Sequence, residues 1–210
     1  MRNQFKMDVF VDSDFLGTHG KEHRANPDNV RSRTGYVISL NDCPVVWSSH
    51  LQKSISVSTM QAEYCALSTA MREVLPLRNL IETVAKGCGI NEDCQTTFKT
   101  TVWEDNVGAL TLANLDPGQN TPRSKFCDSK VHWFWSHLKP NHIEVKKIDT
   151  KAQIADIYTK NVAKDTFERL RKMLMGWQGM CAMIATSLYC YTSLLHAHVH
   201  VNIHIIIICD

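Results

Sequence analysis

The stretch that decides the fold is TGYVISLNDCPVVWSS, residues 34–49. It contains two β-rich runs, 36–40 and 45–48, and the four residues between them, 41–44, are typical of a hairpin turn. Upstream, residues 7–17 read MDVFVDSDFLG, which alternates apolar and polar side chains before it breaks into turn-forming residues. The sequence therefore predicts that three antiparallel strands open the domain.

Downstream of the hairpin, the apolar period changes from two residues to about four. Ala62, Ala66, Ala70 and Val74 recur on one face from residue 59 onwards, and Ser58 or Thr59 ahead of Glu63 is suitable for capping a helix. This pattern predicts a long helix. Pro76 falls inside it and is expected to kink or divide the helix near Val74, because proline lacks a backbone donor and crowds the preceding turn.

The remainder of the chain alternates strands with helices. Apolar alternation predicts strands in KTTVWED and HIEVKKI, and helical spacing predicts helices over residues 106–114, 126–138, 150–160 and 165–177. The resulting order, βββαβαβα, predicts an α/β fold with a mixed sheet covered by helices.

Composition narrows the class of protein without identifying it. The net charge of +2 is too small to indicate a nucleic-acid binder by itself. The eight cysteines form no CxxC pair and no regular framework, and no secretory signal opens the chain. Reduced thiols are therefore expected, with an intracellular location and without a zinc site.

The last residues differ in character from the rest of the chain. Beyond residue 177 the sequence becomes almost uncharged and ends in HAHVHVNIHIIIICD. The histidines permit a metal-binding tract and the apolar run permits a membrane anchor, but translation of a two-letter nucleotide repeat explains the alternation of His, Val and Ile more simply. We therefore expect a domain over residues 1–177 and a poorly packed low-complexity tail over 178–210, with no membrane insertion.

Four acidic residues far apart in sequence share a common setting. Asp12 and Asp105 follow predicted strands that are expected to be neighbours, whereas Glu63 and Asp156 lie on predicted helices. A lone Asp in such a place is usually a turn former or a helix cap. Glu63 is more informative, because it shares its helix stripe with buried alanines and its carboxylate needs a partner there.

Carboxylates gathered at one place repel each other unless they bind a proton or share a cation. Oxygen ligands without matching His or Cys select Mg²⁺ or Mn²⁺ over zinc. Two such ions roughly 4 Å apart can hold both the attacking water and the leaving oxygen of a phosphodiester. The four acids, if the fold gathers them, indicate phosphoryl-transfer chemistry.

Six motifs now point to a known family. They are, in chain order, VDSDFLG, RSRTGYVISL, VSTMQAEYCALSTAMREV, WEDNVGALTLA, RSKFCDSKVHWFW and IDTKAQIADIYTK. In this set the chain resembles the ribonuclease H region of the Pol polyprotein of copia-type long-terminal-repeat retrotransposons, over about residues 7–177. The resemblance implies a ribonuclease H-like fold: a five-stranded mixed sheet with three antiparallel strands first, then parallel strands, flanked by helices.

The resemblance also implies a site and a reaction. Asp12, Glu63, Asp105 and Asp156 would hold two Mg²⁺ ions, for which Mn²⁺ could substitute, and Glu104 would be a neighbour outside the set. The reaction implied is endonucleolytic hydrolysis of the RNA strand of an RNA–DNA hybrid during reverse transcription. No small-molecule cofactor is implied.

Contacts to the hybrid are expected near these acids. Selectivity for RNA requires contacts to 2′-hydroxyls, and phosphates attract basic side chains. The candidates for the 2′-hydroxyls are Ser13, Ser58, Thr59 and Asn106, and those for the phosphates are Arg31, Arg33, Lys125 and Lys130.

The chain also departs from the family pattern. Phe126 stands where family members carry a histidine, and the loop before Asp156 has no histidine. The upstream reverse transcriptase and integrase portions that the resemblance implies are absent here. The location expected for such a protein is a cytoplasmic retrotransposon particle or the nucleus. A decayed, catalytically silent remnant that at most binds nucleic acid, and a DNA-directed nuclease on the same fold, are the competing interpretations.

Overall fold

The centre of the fold is strand β1 (Gln4–Asp14), which has a neighbour on each side. In the computed structural model, which describes residues 4–17, 27–88, 97–115, 119 and 132–176, five strands form one sheet in the order β3-β2-β1-β4-β5. β2 (Arg33–Leu40) and β3 (Cys43–Leu51) are antiparallel to their neighbours. β4 (Thr97–Glu104) and β5 (Ile143–Lys147) are parallel to β1 and to each other. The predicted fold class is confirmed.

The hairpin between β2 and β3 is tighter than the sequence pattern indicated. Leu40 pairs with Cys43, so only Asn41 and Asp42 form the turn. Both have positive φ, 48° and 65°, as a two-residue hairpin turn that matches the strand twist requires. Pro44 therefore belongs to β3, which an edge strand tolerates because the missing N–H removes no bond to a further strand.

Helix α1 (Thr59–Gly87) runs 29 residues without interruption. Its start is the predicted one, since the Ser58 side chain accepts a hydrogen bond from the backbone N–H of Gln61. The predicted division at Pro76 is wrong. Proline inside a helix costs about 3 kcal/mol, but Arg78 in the next turn donates to Thr100 on β4 at 2.9 Å and lies over the ring of Phe98. These tertiary contacts hold the second half of the helix in place.

The other helices are short except the last. α2 (Val107–Ala113) is capped by Asn106, α3 spans Trp135–Leu138, and α5 spans Lys164–Leu174. The predicted helix over residues 150–160 is divided into a 3₁₀ turn, Thr150–Ala152, and α4 (Asp156–Thr159). Of the helix predicted over residues 126–138, only the end lies within the described residues.

The hydrophobic core fills one side of the sheet. Fully buried Met7 and Val9 of β1 pack against the apolar face of α1, including Leu67 and Met71. On the opposite face α4 approaches β2 at Gly35. A Cβ atom there would lie 2.6 Å from the Thr159 side chain, so this approach requires glycine.

None of the described helices is both long enough and apolar enough to cross a membrane. The chain divides between Met175 and Gly176 into two units. All of the second unit except Gly176 lies outside the described residues. The predicted tail over residues 178–210 therefore stays a prediction.

Candidate metal centre

Asp12 lies where β1 loses one of its two neighbours. The parallel pairing of β1 with β4 ends at Phe10, opposite Trp103, whereas its pairing with β2 continues through Asp14. Asp12, two residues beyond the last β4 pair, is fully buried. Ligand sites in open α/β sheets form at the carboxyl ends of strands that separate in this way.

Glu63 and Asp105 form a compact group with Asp12. Glu63 projects from the second turn of α1, and Asp105 directly follows β4. One carboxylate oxygen from each of the three residues lies within 4.8 Å of the other two. Such an all-oxygen set suits Mg²⁺ or Mn²⁺. The fold thus brings together three of the four predicted ligands.

Asp156 reaches the same group through a lysine. The Nζ atom of Lys160 donates to Asp12 Oδ1 at 2.9 Å and to Asp156 Oδ1 at 2.8 Å. The Thr159 hydroxyl donates to Asp12 Oδ2. Asp156 is buried and belongs to the first turn of α4. The fourth predicted ligand is therefore joined to Asp12 by an ion pair and lies outside the three-carboxylate group.

The state of Glu63 tests whether this set fits a cation. Burial raises the pKa of Glu63 well above its ordinary value, and the charges of Glu104, Asp12 and Asp105 raise it further, against the opposing effect of Lys160. Its Oε2 atom is buried without a hydrogen-bond partner in the described part of the chain. A divalent cation would supply both the missing partner and the missing positive charge. The residues present fit such an ion.

Glu104 is a buried acid that the sequence interpretation placed outside the site. It is fully buried, its Oε1 accepts from the backbone N–H of Asn106 at 3.0 Å, and its Oε2 has no partner among the described residues. Burial is the main cause that raises the pKa of Glu104 to about 8. The strand period could have identified it, because Glu104 lies two residues after buried Val102 and so shares its face.

Gln153 is a second residue that the sequence interpretation missed. Its fully buried side chain donates from Nε2 to the backbone oxygen of Val11 at 2.8 Å and, more weakly, to that of Trp103 at 3.5 Å. Its Oε1 accepts from the backbone N–H of Ala155 at 3.4 Å. Gln153 thus fills the gap between the separating strands and ties the start of α4 to it, which positions Asp156.

Comparison with known protein sequences shows which proteins this chain is related to. The chain is 30% identical over 149 residues to the retrovirus-related Pol polyprotein from transposon TNT 1-94 of Nicotiana tabacum, a match that covers 71% of this chain. It is 24% identical over 172 residues to that from transposon RE2 of Arabidopsis thaliana, with 82% of this chain covered. The chain is a relative of retrotransposon Pol polyproteins. The family resemblance predicted from the six motifs is confirmed.

The retrotransposon relatives are much longer proteins. The chain spans about a tenth of the length of the Pol polyproteins it matches. No protein-family model matches it.

Solved structures similar to this Pol relative are ribonuclease H domains. The N-terminal RNase H domain of Rv2228c from Mycobacterium tuberculosis has a TM-score of 0.46 at 13% identity, with 80% of this chain and 96% of that chain covered. LC11-RNase H1, solved in complex with an RNA/DNA hybrid, has a TM-score of 0.46 at 15% identity, with 73% and 93% covered.

The predicted 2′-hydroxyl contacts of this Pol relative lie at different depths. Ser13 is buried and its hydroxyl accepts from the Gln52 side chain at 3.3 Å. Ser58 and Asn106 are half-buried helix caps whose side chains accept from backbone N–H groups. Thr59 is exposed. Ser13 is thus committed to an internal hydrogen bond, whereas the other three border the surface beside the acids.

The two predicted arginines border a cleft whose lining includes a neighbour of Asp12. Arg31 and Arg33 line it together with Asp14, Asn161 and Thr159, and Thr159 contacts Asp12. The other predicted phosphate contacts, Lys125 and Lys130, lie outside the described residues, as does Phe126. The structure therefore places Arg31 and Arg33 in one cleft with a residue that contacts Asp12, and their role as phosphate contacts stays a prediction.

Proposed function

We propose that this chain is a metal-dependent ribonuclease that hydrolyses the RNA strand of RNA–DNA hybrids, as part of a copia-type retrotransposon Pol polyprotein. The observation that carries the proposal is the convergence of Asp12, Glu63 and Asp105 oxygens within 4.8 Å. The unpartnered buried oxygen of Glu63 supports it, because the set lacks the positive charge that it needs.

The proposed ion is Mg²⁺, with Mn²⁺ as a substitute. When bound, divalent cations favour deprotonation of an attacking water and offset the charge that develops on the phosphate. Asp12, Glu63 and Asp105 would hold one such ion, and Asp156 would contribute to a second beside Asp12. Glu104 interacts electrostatically with Glu63, but its pKa of about 8 keeps it mainly protonated at neutral pH in the metal-free protein, so it is not proposed as a ligand.

The substrate would be held by groups at the rim. Arg31 and Arg33 sit in the cleft next to Thr159 and can neutralise phosphates of a bound strand. Thr59 and Asn106 are surface-accessible polar groups that can recognise a 2′-hydroxyl, the group by which a protein distinguishes RNA from DNA. We propose reverse transcriptase and integrase portions of the same polyprotein as partners, and a cytoplasmic particle or the nucleus as location.

A cleavage assay tests the proposal. The full chain, incubated with a labelled RNA–DNA hybrid and Mg²⁺, should cut the RNA strand, and Asp105→Asn should lower the rate by at least about a hundredfold. Asp42→Asn is the matched control, since Asp42 is exposed in the hairpin turn, where asparagine is favoured. This control should retain the rate of the unaltered chain.

Other substrates separate the competing interpretations. Cleavage of duplex DNA in preference to the hybrid would favour a DNA-directed nuclease. A folded sample that cuts neither substrate with Mg²⁺ or Mn²⁺ would instead indicate a silent remnant. Either result overturns the proposed ribonuclease activity.

A further inference from the structure

Lys160 occupies a defined position between two acids of the centre. Its backbone follows the last turn of α4, and its side chain reaches back so that one ammonium contacts both Asp12 Oδ1 and Asp156 Oδ1 at 2.9 and 2.8 Å. Asp12 is fully buried, whereas about a third of the Lys160 side chain is exposed. These are two charge-assisted hydrogen bonds, one to each of two buried carboxylates, and such bonds are stronger than exposed ion pairs.

The surrounding fold fixes the position of this ammonium. α4 lies against Gly35, the β2 partner of Asp12, at a distance that excludes any side chain there. Gln153 ties the start of α4 to the backbone of Val11. The backbone N–H of Lys160 also donates to the backbone carbonyl oxygen of Asp156 at 2.9 Å. The lysine is therefore held beside Asp12 by the packing of α4.

The centre therefore has two places for positive charge, and they differ in occupancy. The group of Asp12, Glu63 and Asp105 includes a buried oxygen that has no partner in the described structure. The place between Asp12 and Asp156 already holds an ammonium. Mg²⁺ binds oxygen at about 2.0–2.1 Å, so an ion at the second place cannot coexist with an ammonium in contact with both oxygens.

We infer that Lys160 is a built-in counter-cation that makes the two divalent-cation positions unequal. The inference rests on the proposed metal-dependent function. One ion enters the three-carboxylate group directly, whereas a second ion at Asp12 and Asp156 must first displace the ammonium. Lys160 is thus a positioning residue that holds Asp12 and Asp156 together before the second ion arrives.

Metal binding provides a readout that does not depend on activity. Mn²⁺ binding to the full chain can be measured by calorimetry and by the electron paramagnetic resonance signal of free Mn²⁺. One ion should bind at least about tenfold more tightly than a second. Lys160→Gln removes the competing charge and should tighten the second ion by about tenfold or more. Lys160→Arg keeps the charge and should retain the unequal pattern. Lys172→Gln, at an exposed site on α5, is the matched control.

A second measurement guards against a misfolded variant. Thermal unfolding in a chelator should show Lys160→Gln less stable than the unaltered chain, because the two aspartates then repel each other. Added Mn²⁺ should raise the melting temperature of this variant more than that of the unaltered chain. Unchanged Mn²⁺ affinities in folded Lys160→Gln, or two equal affinities in the unaltered chain, would overturn the inference about Lys160. Failure of the folded, unaltered chain to bind any Mn²⁺ would overturn the proposed metal-dependent function itself.

Discussion

Replacement of Gly35 by alanine should separate α4 from the acid that it supports. The added Cβ would lie 2.6 Å from Thr159 Cγ2, 2.8 Å from Tyr158 Cβ and 3.2 Å from the Ala155 carbonyl oxygen. Carbon atoms in contact normally lie about 3.5–4.0 Å apart, so α4 must move by about 1 Å. Neither close contact is with the end of a long flexible side chain that could simply turn away.

Two losses follow from this displacement. Overpacking of this size costs about 1–3 kcal/mol of the free energy of unfolding. The Thr159 and Lys160 contacts to Asp12 are lost or lengthened, because both residues move with α4. A misplacement of about 1 Å in a catalytic centre can lower the rate about a hundredfold, so Gly35→Ala should impair cleavage more than its folded fraction explains.

Urea unfolding followed by tryptophan fluorescence measures the first loss, and initial rates of hybrid cleavage measure the second. Gly87→Ala is the matched control, because a Cβ at Gly87 has no atom within 4 Å and the residue ends α1. That variant should be neutral or up to about 1 kcal/mol more stable. A Gly35→Ala protein within about 0.5 kcal/mol of the unaltered chain, with an unchanged rate, would refute the reasoning.

Three further predictions concern buried polar groups. Because the pKa of Glu104 rises from 4.5 to about 8 on folding, the folded state binds the extra proton, and metal-free stability should fall as pH rises from 4.5 to 8. In urea titrations across this range, the free energy of unfolding should fall by at most about 1.4 kcal/mol per pH unit, and Glu104→Gln should reduce this slope. An unchanged slope in Glu104→Gln would contradict a raised pKa at Glu104. Gln153→Leu should cost about 1–3 kcal/mol in the same assay, because the Val11 carbonyl loses its donor, and equal stability would show that this bond contributes nothing. Chelation of divalent cations should lower the melting temperature of the unaltered chain but not that of Asp12→Asn, whose centre has lost the carboxylate shared by both proposed ions; equal shifts in calorimetry would place the bound ion elsewhere.

The sequence identified some parts of the molecule well because their causes are local. The hairpin turn predicted over residues 41–44 and the Ser58 cap of α1 depend on residues within four positions, and the structure has both, with the turn narrowed to Asn41 and Asp42. The division at Pro76 was wrong because contacts of Arg78 with β4 outweigh a local preference. The helix over residues 150–160 was predicted as one unit, yet the side chain of Gln153 bonds to distant strands and divides it.

The site shows the same contrast. The residue types of Asp12, Glu63 and Asp105, and their places after strands or on a helix stripe, by themselves indicate an oxygen-ligand centre. The oxygens converge only because β1 and β4 are parallel neighbours. Glu104 was left outside the set, although the period of two along β4 would have placed it inward.

By itself the sequence determined the order of strands and helices, the hairpin, the cap of α1 and the relationship to retrotransposon Pol polyproteins. Only the tertiary structure decided that Lys160 contacts Asp12 across 148 residues of chain and that Gln153 fills the gap beside Val11 across 142. The physical reason is the range of the interactions. Turns, caps and periodicity depend on neighbours along the chain, whereas burial, charge pairing and pKa depend on groups that come together only when the sheet and helices pack.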